Sequence, residues 1–132
     1  MLVVDSSALI NVLLYPKPSA ELRRRVLDAE SLHAPDLLDL EVLQVLRGLV
    51  RGGKVSPERA DDARQDIDQL PVQRYPHTGF ADRVWSLRHT LTAYDAAYVA
   101  LSELLAMPLV TSDARLARAS GHGAAVELYP LD

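Results

Sequence analysis

Four acidic residues of this chain stand in places where carboxylates are able to do chemistry: Asp5, Glu41, Asp95 and Asp113. The first and the last of them each follow a short apolar run of the kind that forms a buried strand. The other two lie inside segments whose apolar residues recur with helical spacing. Carboxylates that come close together in a low-dielectric site repel one another unless they take up protons or bind a cation. A fold that gathers these four acids would therefore favour a site for a divalent ion.

Asp5 and Asp113 are expected at the same edge of a sheet. Asp5 ends the apolar run 2–4, and Asp113 comes just after the run 109–111. In open α/β sheets, ligands gather at the carboxyl ends of the strands, where loops and helix starts converge. Two acids at such positions are typical of a binding or catalytic site.

Glu41 and Asp95 are expected to point inward from two helices. Glu41 lies three residues after Leu38 and four before Val45, so it shares a helical face with apolar neighbours. Asp95 is placed in the same way one turn before Tyr98. An inward carboxylate needs a partner, and one ion could serve both.

The kind of ion follows from the other residue types. The chain has no cysteine, and its four histidines lack the spacing that zinc-binding helices show. Magnesium uses few carboxylates, keeps several waters and accepts phosphate oxygens. The sequence therefore favours Mg²⁺, with Mn²⁺ as a substitute, and predicts surface or structural roles for the histidines.

Each acid also has an ordinary structural explanation, which the sequence leaves open. Asp5 is suited to cap the helix predicted at 8–14, and Asp113 is suited to cap the helix predicted at 114–119. Thr92 and Asp95 have the spacing of a capping box. Glu41 lies in the first two turns of its helix, where the helix dipole favours a negative charge.

Short strands alternate with helices along the chain, which predicts an α/β domain with a mainly parallel central sheet. The predicted strands are 2–4, 31–34, 72–74, 109–111 and 126–129. The predicted helices are 8–14, 19–29, 35–51, 56–70, 80–89, 92–105 and 114–119. Pro35 and Asp36 should open the third helix, and Ser56 with Pro57 the fourth. Val45 and Trp85 are expected to face the core, since apolar and aromatic residues at helical spacing are usually buried.

Composition limits the class of protein. A length of 132 residues suits one domain, and the apolar runs are too short to span a membrane. The net charge of −4 argues against a protein that coats nucleic acid through bulk electrostatics. The start has no basic leader and reaches an acid at once, unlike a secretory signal. With the absence of cysteine, this favours an intracellular, cytoplasmic location.

Four segments of the chain resemble the motifs of one protein family. They are VVDSSALI at 3–10, PDLLDLEV at 35–42, YDAAYVAL at 94–101 and LVTSDARL at 109–116. Together they resemble PIN domains, and specifically the VapC toxins of type II toxin–antitoxin systems, over nearly the whole chain. The resemblance implies a single PIN domain over 1–132, built as a PIN-like three-layer sandwich with a short, mainly parallel sheet between helices.

The same resemblance implies roles for individual residues. The acidic quartet of the active site would be Asp5, Glu41, Asp95 and Asp113. Within it, Asp5 and Asp95 would be the most direct metal ligands, and the other two acids would complete the shell or handle a proton. Ser7 and Thr111 would orient carboxylates through hydrogen bonds.

The activity that the resemblance implies is a magnesium-dependent endoribonuclease. Its metal would activate water for in-line attack on an RNA phosphodiester. The family also implies a cognate antitoxin protein as partner, a homodimer, and no association with a membrane.

Two other functions stay open. A catalytically silent PIN fold could serve as a binding module, although the complete acidic quartet counts against this. A phospho-acceptor receiver domain also places acids and magnesium at strand ends, but it needs an acid pair near the first strand and a late lysine. Here serines follow Asp5, and the only lysines are Lys17 and Lys54.

Overall fold

The structure is a computed structural model that describes residues 1–131. Within that range, five strands form one sheet in the order β3-β2-β1-β4-β5, and every neighbouring pair is parallel. The strands are β1 (Leu2–Val4), β2 (Leu32–Pro35), β3 (Val72–Tyr75), β4 (Leu109–Thr111) and β5 (Val126–Leu128). The prediction of a mainly parallel sheet is confirmed.

Seven α-helices are present in residues 1–131 and connect or flank these strands. They are α1 (Ser6–Leu14), α2 (Ala20–Leu27), α3 (Leu38–Arg51), α4 (Pro57–Gln69), α5 (Ala81–Ser86), α6 (Ala93–Leu105) and α7 (Ala114–Arg118). A 3₁₀ turn, His77–Phe80, leads into α5. As predicted, Ser56 caps α4 and Thr92 caps α6, each accepting a hydrogen bond from a backbone N–H three residues on.

The centre of the sheet is made of β1 and β4, and both strands are fully buried. Leu2, Val3, Val4, Leu109 and Val110 have no exposed surface. Burying side chains of this size contributes about 1.5–3 kcal/mol each, and strands covered on both faces have continuous apolar sequences. Residues 96–102 of α6, which packs on β1, β2 and β4, are also all buried. This core gives the ends of β1 and β4 a rigid base.

The strand order reverses between β1 and β4. The chain passes from β1 to β2 and β3 on one side, and then returns to place β4 on the other side of β1. Val3 pairs with Leu109 and Val4 with Val110, so the two strands end side by side. Ligands of open parallel sheets bind at such a switch point, and Asp5 and Asp113 lie in the loops that leave it.

The beginning of α3 differs from the prediction. Pro35 is the last residue of β2 and pairs with Tyr75, and the Asp36 N–H donates to the Tyr75 carbonyl at 2.8 Å. This pairing with β3 keeps Pro35 in the strand, and Asp36 and Leu37 form a turn, so α3 starts only at Leu38, without a side-chain cap. Pro35 and Asp36 therefore do not open the helix.

Two apolar residues that were predicted to be buried are exposed. Helix α5 is shorter than predicted, and Trp85 is 68% exposed, whereas Leu87 is buried. Two residues span about 200° around a helix, so burying Leu87 turns Trp85 outward. Val45 is 38% exposed because the inner stripe of α3 is narrow and follows Val42 and Leu46. In residues 1–131, no helix has the length and apolar character that crossing a membrane requires.

Candidate active site

Asp5 lies at the end of β1 and its carboxylate is held on both oxygens. Oδ1 accepts the Ala8 N–H at 2.9 Å and the Ser7 hydroxyl at 2.7 Å. Oδ2 accepts the Thr111 hydroxyl from β4. The residue is only 5% exposed, so these donors replace the water that a carboxylate would otherwise bind. Asp5 thus caps α1, and it is also fixed to the neighbouring strand.

A hydrogen-bond network extends from Asp5 to Asp113 through the end of β4. The Ser7 and Thr111 hydroxyls are 3.3 Å apart. The Asp113 N–H donates to the Thr111 hydroxyl at 3.0 Å, and the Ser112 N–H donates to the Ser7 hydroxyl at 3.1 Å. The network connects the ends of β1 and β4. It holds the Ser7 and Thr111 hydroxyls in place against the Asp5 carboxylate.

Asp113 caps α7 and, of the four acids, lies within ion-pair distance of a base. Its Oδ1 accepts the Arg115 N–H at 2.9 Å, and the Arg115 side-chain Nε lies 3.8 Å from the same oxygen. The Arg115 side chain is 87% exposed, while that of Asp113 is 28% exposed. A pair with such an exposed partner contributes little to stability, so Arg115 compensates the charge of Asp113 only weakly.

Glu41 projects from α3 and is half-buried. Its Oε1 accepts the hydroxyl of Tyr98 at 2.6 Å. Burial raises the pKa of Glu41, the negative charge of Asp95 raises it further, and the bond from Tyr98 partly opposes both. The pKa of Tyr98 lies well above its usual value because the ring is buried and faces the Glu41 carboxylate. Tyr98 therefore stays protonated and donates to this carboxylate.

Asp95 lies in the first turn of α6 and is also half-buried. Its backbone N–H donates to the Thr92 hydroxyl at 3.1 Å, but within residues 1–131 its carboxylate accepts no return bond from the Thr92 backbone N–H. The capping box is therefore only half formed, and the carboxylate remains available. Burial and then the charge of Asp113 raise the pKa of Asp95, while the charge of Arg115 and the hydroxyl of Thr92 lower it.

Three of the four acids have a raised pKa, to which the negative charge of another of the four contributes. The charge of Asp113 raises the pKa of both Asp5 and Asp95, and Asp95 does the same to Glu41. Asp5 is affected most, since burial, with a smaller contribution from Asp113, raises its pKa from 3.8 to about 6 despite its hydrogen bonds. The structure thus brings the predicted acids into one electrostatically coupled cluster, at the carboxyl edge of β1 and β4.

The cluster is wider than a protein-only metal cage. Among residues 1–131, no three His, Cys, Asp or Glu side chains converge closely enough to hold an ion by themselves. A structural zinc site needs that convergence. Magnesium is held by one or two carboxylates together with waters and substrate phosphates. The donors present are carboxylate oxygens without cysteine or histidine, a set that suits magnesium better than zinc.

Tyr98 is the contact that the sequence analysis missed, because it treated Tyr98 only as an apolar neighbour of Asp95. The one available signal was its place one helical turn after Asp95. The predicted structural role of the histidines agrees with the position of His33. It is buried, and its two ring nitrogens are hydrogen-bonded to Ser31 and Tyr75.

Comparisons with known proteins agree with this geometry. The profile of the PIN domain matches residues 2–121. Ribonuclease VapC12 of Mycobacterium tuberculosis is 40% identical over 128 residues, which are 97% of this chain and 98% of the relative. The chain belongs to the PIN-domain family, among its VapC ribonucleases. This membership rules out the receiver-domain hypothesis, because receiver domains form a family separate from PIN domains.

Solved PIN-domain structures share the fold. PAE2754 from Pyrobaculum aerophilum superposes with a TM-score of 0.68 at 23% identity, over 95% of this chain and 81% of that one. VapC20 of Mycobacterium tuberculosis, described as a toxin that cleaves the sarcin–ricin loop, superposes with a TM-score of 0.65 at 13% identity. The match covers 89% of this chain and 93% of VapC20. These likenesses confirm the predicted PIN-like α/β architecture.

Proposed function

We propose that this VapC-family protein hydrolyses RNA phosphodiester bonds with the help of a divalent cation held at the four-acid cluster. The observation that carries the proposal is geometric: Thr111 at the end of β4 joins Asp5 to Asp113, and Tyr98 ties Glu41 to α6, the helix that carries Asp95. RNA as the substrate class follows from membership among the VapC ribonucleases.

The charge balance of the cluster supports a cation. In the part of the chain that the structure describes, Asp113 is the only member within ion-pair distance of a base, and its partner Arg115 is exposed. Buried carboxylates without a compensating charge are unfavourable. We assign Asp5 and Asp95 as the ligands of Mg²⁺, for which Mn²⁺ could substitute. When bound, the ion would polarise a phosphate oxygen and make a water molecule more acidic.

The residues of the chain would then position the reactants. Ser7 and Thr111 hold the Asp5 carboxylate in one orientation. Glu41, with its raised pKa, is suited to accept a proton from the attacking water. The water oxygen forms a bond to phosphorus as the bond from phosphorus to the leaving oxygen breaks, and the leaving oxygen takes up a proton. Asp113 completes the shell of acids, and the surrounding water supplies this second proton.

The wider role we propose is that of the toxin in a type II toxin–antitoxin pair, acting on RNA in the cytoplasm. A cognate antitoxin would be a small protein that blocks the cluster. A second copy of the chain is also expected as a partner. Leu40 and Leu43 are 72% and 44% exposed, so α3 offers an apolar surface for such a contact.

The test compares RNA cleavage by the unchanged protein and by Asp5→Asn, with magnesium and with chelator. Asparagine keeps the shape of the side chain, accepts the bonds from Ser7 and Ala8, and donates to Thr111. We expect cleavage to fall at least about a hundredfold in Asp5→Asn and to vanish in chelator. Asp61→Asn, at an exposed acid on α4, is the matched control and should cut normally.

Equal cutting by the unchanged protein and Asp5→Asn, or cutting that chelator does not affect, would contradict the proposal. Absence of cleavage of every RNA tested, with magnesium bound and the antitoxin absent, would instead favour a silent binding module.

A further inference from the structure

A groove of about 610 Å³ opens beside the acidic cluster, between α5 and the first turns of α6. Thr92, which lines it, caps the turn that carries Asp95. Tyr94, which also lines it, directly precedes Asp95, and Leu37 on the third side comes four residues before Glu41. The groove therefore lies against the first turn of α6, the turn that carries Asp95.

Two aromatic side chains in this groove are largely exposed. Trp85 is 68% and Tyr94 is 67% exposed. Aromatic rings bury large apolar areas when they are covered, and exposed apolar patches mark binding surfaces. Both rings have few rotatable bonds, so binding to them costs little conformational entropy.

A cation is fixed against one of these rings. The Arg88 guanidinium carbon lies 4.5 Å from the centroid of the Trp85 ring, and its Nη1 donates to the Trp85 carbonyl at 3.0 Å. Among residues 1–131, no acidic residue lines the groove, although the chain has 18 acidic residues and a net charge of −4. Within residues 1–131, this groove thus combines aromatic faces with positive charge directly beside a cluster of acids.

We propose that this groove binds an unpaired base of the RNA strand, next to the phosphodiester that the acidic cluster cleaves. The base stacks on Trp85 and Tyr94, and an adjoining phosphate meets Arg88. The inference rests on the proposed function, since it names a subsite for the same substrate. Proteins bind single-stranded nucleic acid in this way, with aromatic platforms for bases and cations for the backbone. The charge of the groove favours a nucleotide over an uncharged apolar partner.

The fluorescence of Trp85 tests the stacking directly, because it is the only tryptophan of the chain. The protein, in the Asp5→Asn background so that the strand stays intact, is titrated in magnesium with a single-stranded uridylate RNA of about eight nucleotides. We expect saturable quenching. Abasic nucleotides at the central positions, or Arg88→Ala in the protein, should weaken binding about tenfold.

Cleavage kinetics give a second readout. We expect Trp85→Ala to raise KM about tenfold and to leave kcat nearly unchanged, because stacking holds substrate and transition state equally. Trp85→Phe should recover most of the affinity. Leu104→Ala is the matched control, since Leu104 is 62% exposed on the same helix α6 and lies outside the groove.

Two outcomes would overturn the inference. One is RNA cleavage with an unchanged KM in Trp85→Ala and no quenching on RNA binding. The other is a change of Trp85 fluorescence with protein concentration alone, with Trp85→Ala sedimenting at half the mass of the unchanged protein, which would assign the groove to a second copy. A protein that quenches on RNA binding but never cleaves would contradict the proposed function and leave the base subsite supported.

Discussion

The hydroxyl of Tyr98 donates a 2.6 Å hydrogen bond to Oε1 of Glu41, joining α6 to α3 across 57 positions of the sequence. Tyr98 is 1% exposed, so the donor is held by the core. It also lies one turn after Asp95 on the same helix. The bond therefore holds the Glu41 carboxylate of α3 against α6, the helix that carries Asp95.

The first prediction concerns this bond. Tyr98→Phe removes the hydroxyl and keeps the ring, so the core should stay packed while Glu41 loses its fixed orientation. A hydrogen bond to a charged group contributes about 1.5–3 kcal/mol, and we expect kcat for RNA cleavage to fall about tenfold or more with KM little changed. The measurement is steady-state cleavage of one RNA in magnesium.

Tyr15→Phe is the control, because Tyr15 is the C-cap of α1, at the opposite end of that helix from Asp5. It should cleave at the normal rate. A normal kcat for Tyr98→Phe would contradict the positioning role of Tyr98. So would a fall in activity that is fully explained by a smaller fraction of folded protein.

The second prediction follows from the pKa of Asp5, which burial raises to about 6 in the folded protein from an ordinary 3.8. The folded state then binds the proton more tightly than the unfolded state does. Stability from this group is complete below pH ~4 and is lost as the pH rises through about 6. The shift corresponds to about 3 kcal/mol of unfolding free energy.

Asp5→Asn removes this pH dependence. In chelator, we expect Asp5→Asn to be more stable than the unchanged protein at about pH 8, and the difference to shrink towards pH ~4. Urea unfolding at both pH values measures it, and taking the difference between the two proteins cancels other titrating groups such as Glu103 and Glu127. An asparagine variant that is less stable at every pH would show that the Asp5 charge is already compensated.

Magnesium should stabilise the folded protein, which is the third prediction. A ligand at about ten times its Kd adds about 1.4 kcal/mol to the free energy of unfolding, which raises Tm by several degrees in a chain of this size. Asp95→Asn should lose most of this shift, and the surface control Asp61→Asn should keep it. A sodium salt of equal ionic strength is the reference. An equal shift in Asp95→Asn would remove Asp95 from the proposed ligands.

Much of the fold was predictable from the sequence, and the reasons are local. The apolar runs of β1 and β4 are short, continuous and followed by acids, so both strand ends could be located by pattern alone. Thr92 and Ser56 cap their helices as predicted because a cap depends only on residues one turn away. Asp5 and Asp113 are also helix caps. For these two acids, a capping role and a place in the acidic cluster are therefore compatible.

What could not be predicted depends on distant parts of the chain. The Tyr98 to Glu41 bond requires α6 to cross α3, which no local pattern encodes. The late start of α3 is caused by pairing of Pro35 with Tyr75, forty residues further on. Trp85 lies on a helix of only six residues, in which periodicity cannot separate the inner face from the outer one. Only the structure shows that Trp85 is exposed and that it lines the groove against the first turn of α6.

The central claim is that the four acids act as one metal-dependent catalytic unit, and the most direct test is the kcat/KM for RNA cleavage of their isosteric variants. In magnesium, we expect Asp5→Asn, Glu41→Gln, Asp95→Asn and Asp113→Asn each to lose activity while remaining folded. Groups that work as a unit are strongly non-additive, so Asp5→Asn combined with Asp95→Asn should be no slower than the slower of the two alone. Full activity in any single variant, or losses that simply add in the double variant, would contradict the account.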